Sequence, residues 1–199
     1  INKDISSFKS MSDNADKELT TEFYKLFHET RLMLIKAFKE KDEVSEQEAL
    51  LYSQIFLERI LFLFFALDNG LIDDSKLFTN RILSQLKLNQ CTSSSRKIFD
   101  DINLLFEALD NGDKFLNIHG FGGELFSGGP IPPKVYFLDF QTKQFFANEI
   151  MNSKLSKELP LKDEAEKIWE QAGNNVNPII RNLLIMDSRD FNSELNVTI

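Results

Sequence analysis

The side chains best suited to chemistry in this sequence are short polar clusters that resemble parts of a metal site. A nuclease of the common metal-dependent kind needs an Asp followed by a Glu-x-Lys triplet on a strand, which holds a divalent ion and a polarising lysine. The sequence contains no Glu-x-Lys triplet. The nearest substitutes are Asp139 with Gln141 and Lys143, and Asp74 with Lys76. A solvated surface cluster is the favoured interpretation of both.

Other catalytic and cofactor motifs are also missing from the sequence. An amino-methyltransferase would show Asn-Pro-Pro-Tyr or a relative, which grips a flipped base, but the proline after Asn177 is followed by two isoleucines. The glycine-rich stretch at residues 119–129 lacks the Lys-Ser/Thr pair of a phosphate loop and the dinucleotide spacing. His28, His119 and Cys91 lack the neighbours of a metal or nucleophile site. We therefore predict no catalytic, cofactor-binding or metal-ligating residue in this chain.

Four basic residues flank one predicted loop and are candidates for weak contacts with a DNA backbone. They are Arg81, Lys87, Arg96 and Lys97. The formal net charge is −8, whereas neutralising phosphates normally needs a basic patch. A solvated face is therefore the favoured interpretation of these four residues.

Composition indicates a globular protein from a reducing compartment, either one domain or one large helical module of something bigger. The 199 residues are 42% hydrophobic and 12% aromatic, which is enough for a full core. The single Cys91 leaves no internal disulfide to form. The first thirty residues contain no apolar signal-peptide region, so we expect a cytoplasmic protein without a membrane partner. Because the chain begins at Ile1 rather than Met, we expect it to be part of a larger protein.

The elements that would position these residues are predicted to be helices. The organising helix covers residues 46–72, and because every position from 60 to 67 is apolar, it must be covered on all sides. Ser45 and Glu48 form a capping box at its start. The pentapeptide Ala-Leu-Asp-Asn-Gly ends this helix and returns at residues 108–112, so two helices should end in the same way.

The rest of the chain is predicted to complete a mainly α, antiparallel helical bundle around that buried central helix. Thr20 or Thr21 is the expected N-cap of the first helix. Residues 135–140 form either a short strand or the lead into a helix. The further helices are predicted at residues 19–38, 75–88, 93–112, 142–151, 162–171 and 176–186. The single domain, 1–199, thus has a polar segment at 1–18, a helical core at 19–112, an irregular Gly/Pro-rich loop at 113–134 and C-terminal helices at 135–199.

Five pieces of the sequence, in order, carry a likeness to a known family. They are LTTEFY at 19–24, FLERILFLFFA at 56–66 with Asp68 and GLI at 70–72, LFEALD at 105–110, GGELF at 122–126 and DFNSELNV at 190–197. Together they resemble the helical region ahead of the methyltransferase domain in fused type II (IIG-like) restriction–modification enzymes. That family usually has a shorter Asn-Gly-Gly-Leu-Phe where this chain inserts Glu124. The family-like positions are Arg59, Asp68, Gly70, Asp110, Gly122, Gly123 and Phe126.

The resemblance implies a role between two catalytic domains. In such enzymes a nuclease domain lies upstream of this region, and the methyltransferase and target-recognition domains lie downstream. This chain would then be a non-catalytic helical connector that couples them. The parent enzyme would bind DNA, cleave it with a divalent metal such as Mg, and methylate adenine with S-adenosylmethionine.

Two functions of other classes stay open on the sequence alone. One is a self-contained helical module whose acidic surface binds a protein partner. The other is an enzyme in which Asp139, Gln141 and Lys143 form a degenerate metal-dependent nuclease site beside the glycine-rich loop.

Overall fold

Six helices make up the part of the chain that the computed structural model describes, which is residues 2–41, 44–91, 98–127 and 178–189. Within these residues the one strand-like pairing is an antiparallel bridge between Asp113 and Ile118. The predicted mainly α fold is therefore confirmed. The helices are α1 Asn2–Lys41, α2 Glu46–Asp68, α3 Leu77–Cys91, α4 Ile98–Asn111, α5 Glu124–Ser127 and α6 Pro178–Asp187.

The first two helices form an antiparallel hairpin. The rings of Phe38 and Tyr52 have their centres 5.8 Å apart. Earlier in α1 and later in α2, Arg31 Nη2 donates to Gln54 Oε1 at 3.5 Å. As the residue number falls along α1 it rises along α2, so the two helices run in opposite directions. Their facing apolar side chains form one side of the core.

The two ends of α2 contain the predicted capping features, although the helix ends at Asp68 and not at residue 72. Glu48 N donates to Ser45 Oγ at 3.3 Å and Ser45 N donates to Glu48 Oε2 at 2.9 Å, which is the predicted capping box. At the other end Gly70 adopts a φ of 66°, and after α4 Gly112 adopts a φ of 83°. The two copies of the pentapeptide thus end two helices through a left-handed glycine, as predicted.

The apolar half of α2 is covered, as the sequence requires, but a different helix is the most enclosed. None of residues 60–67 is exposed, whereas Leu50 and Leu51 in the first half of α2 face solvent. By contrast, all ten residues of α6 are buried. Among the described residues, α2 alone is long and apolar enough to span a membrane, and half of its apolar window is buried inside the protein. A core helix of a soluble protein gives the same pattern.

The first helix begins much earlier than predicted. It starts at Asn2, so Thr20 and Thr21 lie inside the helix and neither is its N-cap. No Gly or Pro interrupts residues 2–41, and polar residues such as Lys and Glu favour a helix as well as apolar ones do.

Two further boundaries differ from the predictions. The third helix extends to Cys91, which is therefore a helical residue and not part of a polar loop. A short helix, α5, lies within the glycine-rich segment that was predicted to contain none. It fits because one turn needs only the four non-glycine residues between Gly123 and Gly128. The predicted strand or helix lead at 135–140 and the predicted helices at 142–151 and 162–171 lie outside the described residues.

Candidate functional site

A buried arginine joins α2 to the short helix α5. Arg59 is only 3% exposed, and its Nε donates to the carbonyl of Leu125 at 2.9 Å while Nη2 donates to that of Phe126 at 3.3 Å. The last carbonyls of a helix have no partner within the helix. Arg59 thus supplies from another element the donors that the end of α5 lacks.

Aromatic rings and one carboxylate surround the Arg59 guanidinium. Its central carbon lies 5.8 Å from the ring centre of Phe106 and 5.6 Å from that of Phe126. Burial lowers the pKa of Arg59, and the negative charge of Asp110 raises it in part. Because an arginine pKa starts so high, the group keeps its charge. The positive charge is therefore stabilised by carbonyl oxygens, ring faces and a nearby carboxylate.

Five phenylalanines pack together where α2, α4 and residues 121–127 meet. The rings contact one another edge to face with their centres 5.4 to 5.8 Å apart, which is a geometry that aromatic pairs prefer. The pairs are Phe56 with Phe106, Phe62 with Phe121, and Phe62 with Phe126.

The glycine-rich segment folds back over the end of α4. Phe121 N donates to the carbonyl of Leu109 at 2.8 Å, and Gly122 N donates to that of Asp110 at 3.3 Å. These bonds satisfy carbonyls at the end of the helix. The return brings Gly112 so near Gly120 that a Cβ on Gly112 would lie 2.9 Å from the Gly120 nitrogen. Gly112 and Gly120 therefore permit the close backbone approach that places α5 beside Arg59.

A pocket of about 230 Å³ opens beside Arg59. Its lining contains two carboxylates, two amides, two phenyl rings and one guanidinium. The lining residues are Arg59, Asn103, Phe106, Glu107, Asp110, Asn111 and Phe126. Those contributed by α4 recur at spacings of three and four, so they share one face of that helix. This lining offers hydrogen bonds and negative charge, which suits the binding of a small polar group.

Asn103 is the unusual member of the lining. The residue is 8% exposed, and its buried Oδ1 accepts no hydrogen bond from any described residue. Buried polar side chains are paired in the large majority of cases. The unpaired Oδ1 is itself buried, so it lowers stability instead of presenting an acceptor to the pocket.

The structure brings most of the family-like positions together. Arg59, Asp110 and Phe126 meet at this site, and Gly122 and Gly123 lie on the segment that leads into α5. The other two, Asp68 and Gly70, end α2 elsewhere. The sequence reasoning missed Asn103, Glu107 and Asn111, although their spacing with Asp110 along α4 was a usable signal.

None of the other predicted positions within the described residues lines this pocket. Arg81 forms two hydrogen bonds of 3.0 Å with the carboxylate of Asp101, which joins α3 to α4. Lys87 lies in α3, and Arg96 and Lys97 lie outside the described residues. Contact of these four with DNA stays a prediction.

The positions considered for metal binding that the structure describes lie on separate elements. Asp74 begins the turn before α3 and accepts a hydrogen bond from the Lys76 backbone at 3.0 Å. His28 and His119 are both exposed on separate elements. Residues 139, 141 and 143 lie outside the described part, within which no three His, Cys, Asp or Glu side chains could hold a metal.

Comparison with known proteins gives no relative. No protein-family model, curated protein or solved structure matches the chain.

Proposed function

We propose that this chain is a non-catalytic helical connector of a fused restriction–modification enzyme. The observation that supports the proposal is the meeting of Arg59, Asp110 and Phe126 at one place. These residues belong to three separate pieces of the sequence resemblance, and nothing in their sequence separation requires them to meet. The contacts of these residues hold α2, α4 and α5 together, as a rigid connector requires.

Fixed packing of these helices would give the connector a mechanical role. Arg59 and the surrounding rings fix α2, α4 and α5 in one arrangement. At 1.5 Å per residue, the 40-residue α1 is about 60 Å long, and it packs along α2 over its C-terminal half. A nuclease and a methyltransferase attached to such a rigid unit would keep a fixed relation, so that target recognition in one part could license cleavage in the other.

The chemistry in this proposal belongs to the parent enzyme. The flanking domains would bind DNA, use a divalent metal such as Mg for cleavage and use S-adenosylmethionine for adenine methylation. The parent would work in the cytoplasm, where its DNA substrate lies.

The gene on both sides of this segment provides the decisive test. A Glu-x-Lys nuclease motif upstream and an Asn-Pro-Pro-Tyr motif downstream are the expected result. A start codon directly before Ile1 and a stop codon directly after Ile199 would overturn the proposal.

A second candidate, a self-contained helical interaction module, is favoured by one exposed side chain. Phe115 is fully exposed at the tip of the turn after α4. That turn is well held, because Asp113 Oδ1 accepts hydrogen bonds from Phe115 N at 2.7 Å and Leu116 N at 3.0 Å. A phenyl ring presented on a braced turn is suited to insertion into a partner's apolar pocket.

Light scattering separates the two candidates. The connector proposal expects the 199-residue chain to self-associate more than a longer polypeptide from the same gene does, because the longer one covers apolar surface. The interaction module expects the 199-residue chain to be a monomer.

A further inference from the structure

We propose that Asn69, which precedes Gly70, is a site of spontaneous deamidation, and that the fold protects Asn111, which precedes Gly112, from the same reaction. Both dipeptides end the pentapeptide Ala-Leu-Asp-Asn-Gly, so their local sequences predict equal reactivity. The difference between them therefore comes from the structure. This inference does not depend on the connector proposal, because it concerns only the surroundings of these two sites.

The chemistry needs an asparagine whose side chain can reach the next backbone nitrogen, and glycine leaves that nitrogen least hindered. The Gly70 nitrogen attacks Cγ of Asn69, so that an N–Cγ bond forms and the side-chain amide leaves as ammonia with the proton of the Gly70 nitrogen. Water then opens the resulting succinimide ring at one of its two carbonyls. The product is an aspartate, or an isoaspartate whose backbone continues through the side chain. Water is the co-reactant, and nothing is oxidised or reduced.

The Asn-Gly dipeptide at the end of α2 is uncovered. Asn69 and Gly70 are both exposed, and no described atom lies within 4 Å of the position that a Cβ on Gly70 would take. Gly70 N donates to the Leu67 carbonyl at 3.2 Å, and Asn69 Nδ2 donates to the Phe65 carbonyl at 2.8 Å. These two hydrogen bonds must break before the nitrogen can reach Cγ, but no other described segment packs over Gly70.

A returning segment covers the second dipeptide, at the end of α4. Gly112 N donates to the Ala108 carbonyl at 2.8 Å, and Phe121 N donates to the Leu109 carbonyl at 2.8 Å. Gly120 lies so near that a Cβ on it would be 2.9 Å from Gly112 N. Reaction at this dipeptide therefore requires the segment to move away first, which adds the free energy of a further local opening.

Deamidation changes how α2 ends. The Asn69 amide donates to the Phe65 carbonyl, whereas a carboxylate at this position can only accept hydrogen bonds. It also adds a negative charge at the C-terminal end of the helix, where the helix dipole is negative as well. The variant Asn69→Asp reproduces one product, and calorimetry should show a melting temperature lower by about 3 °C. An unchanged melting temperature would overturn this part of the inference.

Peptide mapping by mass spectrometry measures both sites in one sample. Trypsin places the two dipeptides in separate peptides, residues 60–76 and 98–114. The folded 199-residue chain is incubated at mildly alkaline pH and sampled over time. We expect deamidation at Asn69 to be about tenfold faster than at Asn111. Equal rates, or a faster reaction at Asn111, would overturn the inference.

The same chain unfolded in guanidinium chloride is the control for local sequence. Without the fold, the two rates should agree within about twofold, because the pentapeptides are identical. If the folded chain stays unmodified at both sites while the unfolded chain reacts fully, the fold protects Asn69 as well and the inference is wrong.

The variant Gly120→Ala tests the protection of Asn111 and leaves both pentapeptides unchanged. Its Cβ would lie 2.8 Å from the Asp110 carbonyl oxygen, so the returning segment has to move away. Deamidation of Asn111 should become several-fold faster, while Asn69 keeps its wild-type rate, which also reports that the variant is folded. The wild-type comparison decides the inference even if this variant unfolds. An unchanged rate at Asn111 in the folded variant would contradict protection by the returning segment.

Discussion

Two buried asparagines show opposite uses of a polar group in one helical core. Asn182 in α6 is fully buried and donates from Nδ2 to Thr30 Oγ1 at 3.0 Å, and Thr30 donates in turn to the Leu26 carbonyl at 2.7 Å. The Oδ1 of Asn103 in α4 accepts no hydrogen bond from a described residue, and Asn103 lines the pocket beside Arg59. The Oδ1 atoms of both lack a partner, so the difference lies in the anchoring of the amide and in the pocket.

The surroundings of the two asparagines explain the difference. Near Asn182, side chains join α6 to two neighbours, through Thr30 of α1 and through Thr79 of α3, whose hydroxyl donates to Asp187. Near Asn103, the main polar contact runs from Arg59 to backbone carbonyls, and one side stays open. Side chains that form hydrogen bonds between helices contribute stability and orientation, whereas a buried amide oxygen without a partner lowers stability.

The largest effect is expected from Arg59→Met, which keeps the apolar stem and removes the guanidinium. The carbonyls of Leu125 and Phe126 lose their donor and Asp110 loses the positive charge of Arg59, so the free energy of unfolding should fall by about 4 kcal/mol. Urea unfolding measures it. The control Arg81→Met removes an ion pair that is partly solvent-exposed, and should cost about 1 kcal/mol or less. Equal losses in the two variants would show that Arg59 stabilises the fold no more than a partly exposed ion pair does.

The asparagine comparison itself is tested by Asn182→Ala against Asn103→Ala. Asn182→Ala removes a buried hydrogen bond and leaves a cavity, so we expect a loss of about 3 kcal/mol. Asn103→Ala removes an unpaired group beside an open pocket, and should cost less than about 1 kcal/mol. Urea unfolding of both variants gives the difference. A larger loss at Asn103 would reverse the comparison.

The next loss of stability is expected in the loop that connects α4 to α5 and places α5 beside Arg59. Gly112→Ala places a Cβ 2.9 Å from the Gly120 nitrogen at a φ of 83°, and should cost about 2 kcal/mol. Gly70→Ala is the matched control, because it ends α2 in the same pentapeptide at a φ of 66° with open space around it. It should cost about 1 kcal/mol from backbone strain alone. Thermal unfolding distinguishes the two, and equal costs would mean that the close approach carries no energy.

Local signals predicted the helices better than their boundaries or the site. Ser45 and Glu48 lie three residues apart and cap α2 as expected, because a capping box needs only neighbours in sequence. The predicted start of α1 was wrong because a threonine such as Thr20 occurs both inside helices and at N-caps. Only a Gly or Pro before it would have indicated that the helix begins there.

The candidate site was predictable only in part, for a different reason. Arg59 was visible as a charge in an apolar run, and its family-like partners were named from resemblance. That Arg59 meets Leu125 and Phe126 depends on contacts 66 and 67 residues apart. Periodicity along α4 places Asn103 on one face with Glu107, Asp110 and Asn111, but it contains no information about which distant residues that face meets.

The smallest effect gives a reference for a polar contact in full solvent. Ser45→Ala removes the exposed N-cap of α2 and should cost about 1 kcal/mol at neutral pH. Hydrogen bonds from the Ser45 side chain and backbone lower the pKa of Glu48. A group with a lowered folded pKa stabilises above its unfolded pKa, and this contribution is lost as pH falls through the folded pKa. The gap between wild type and Ser45→Ala in urea unfolding should therefore narrow on acidification, while the gap for Asn182→Ala, which involves no titrating partner, should not. A pH-independent Ser45→Ala gap would mean that the Glu48 carboxylate contributes nothing to the cap.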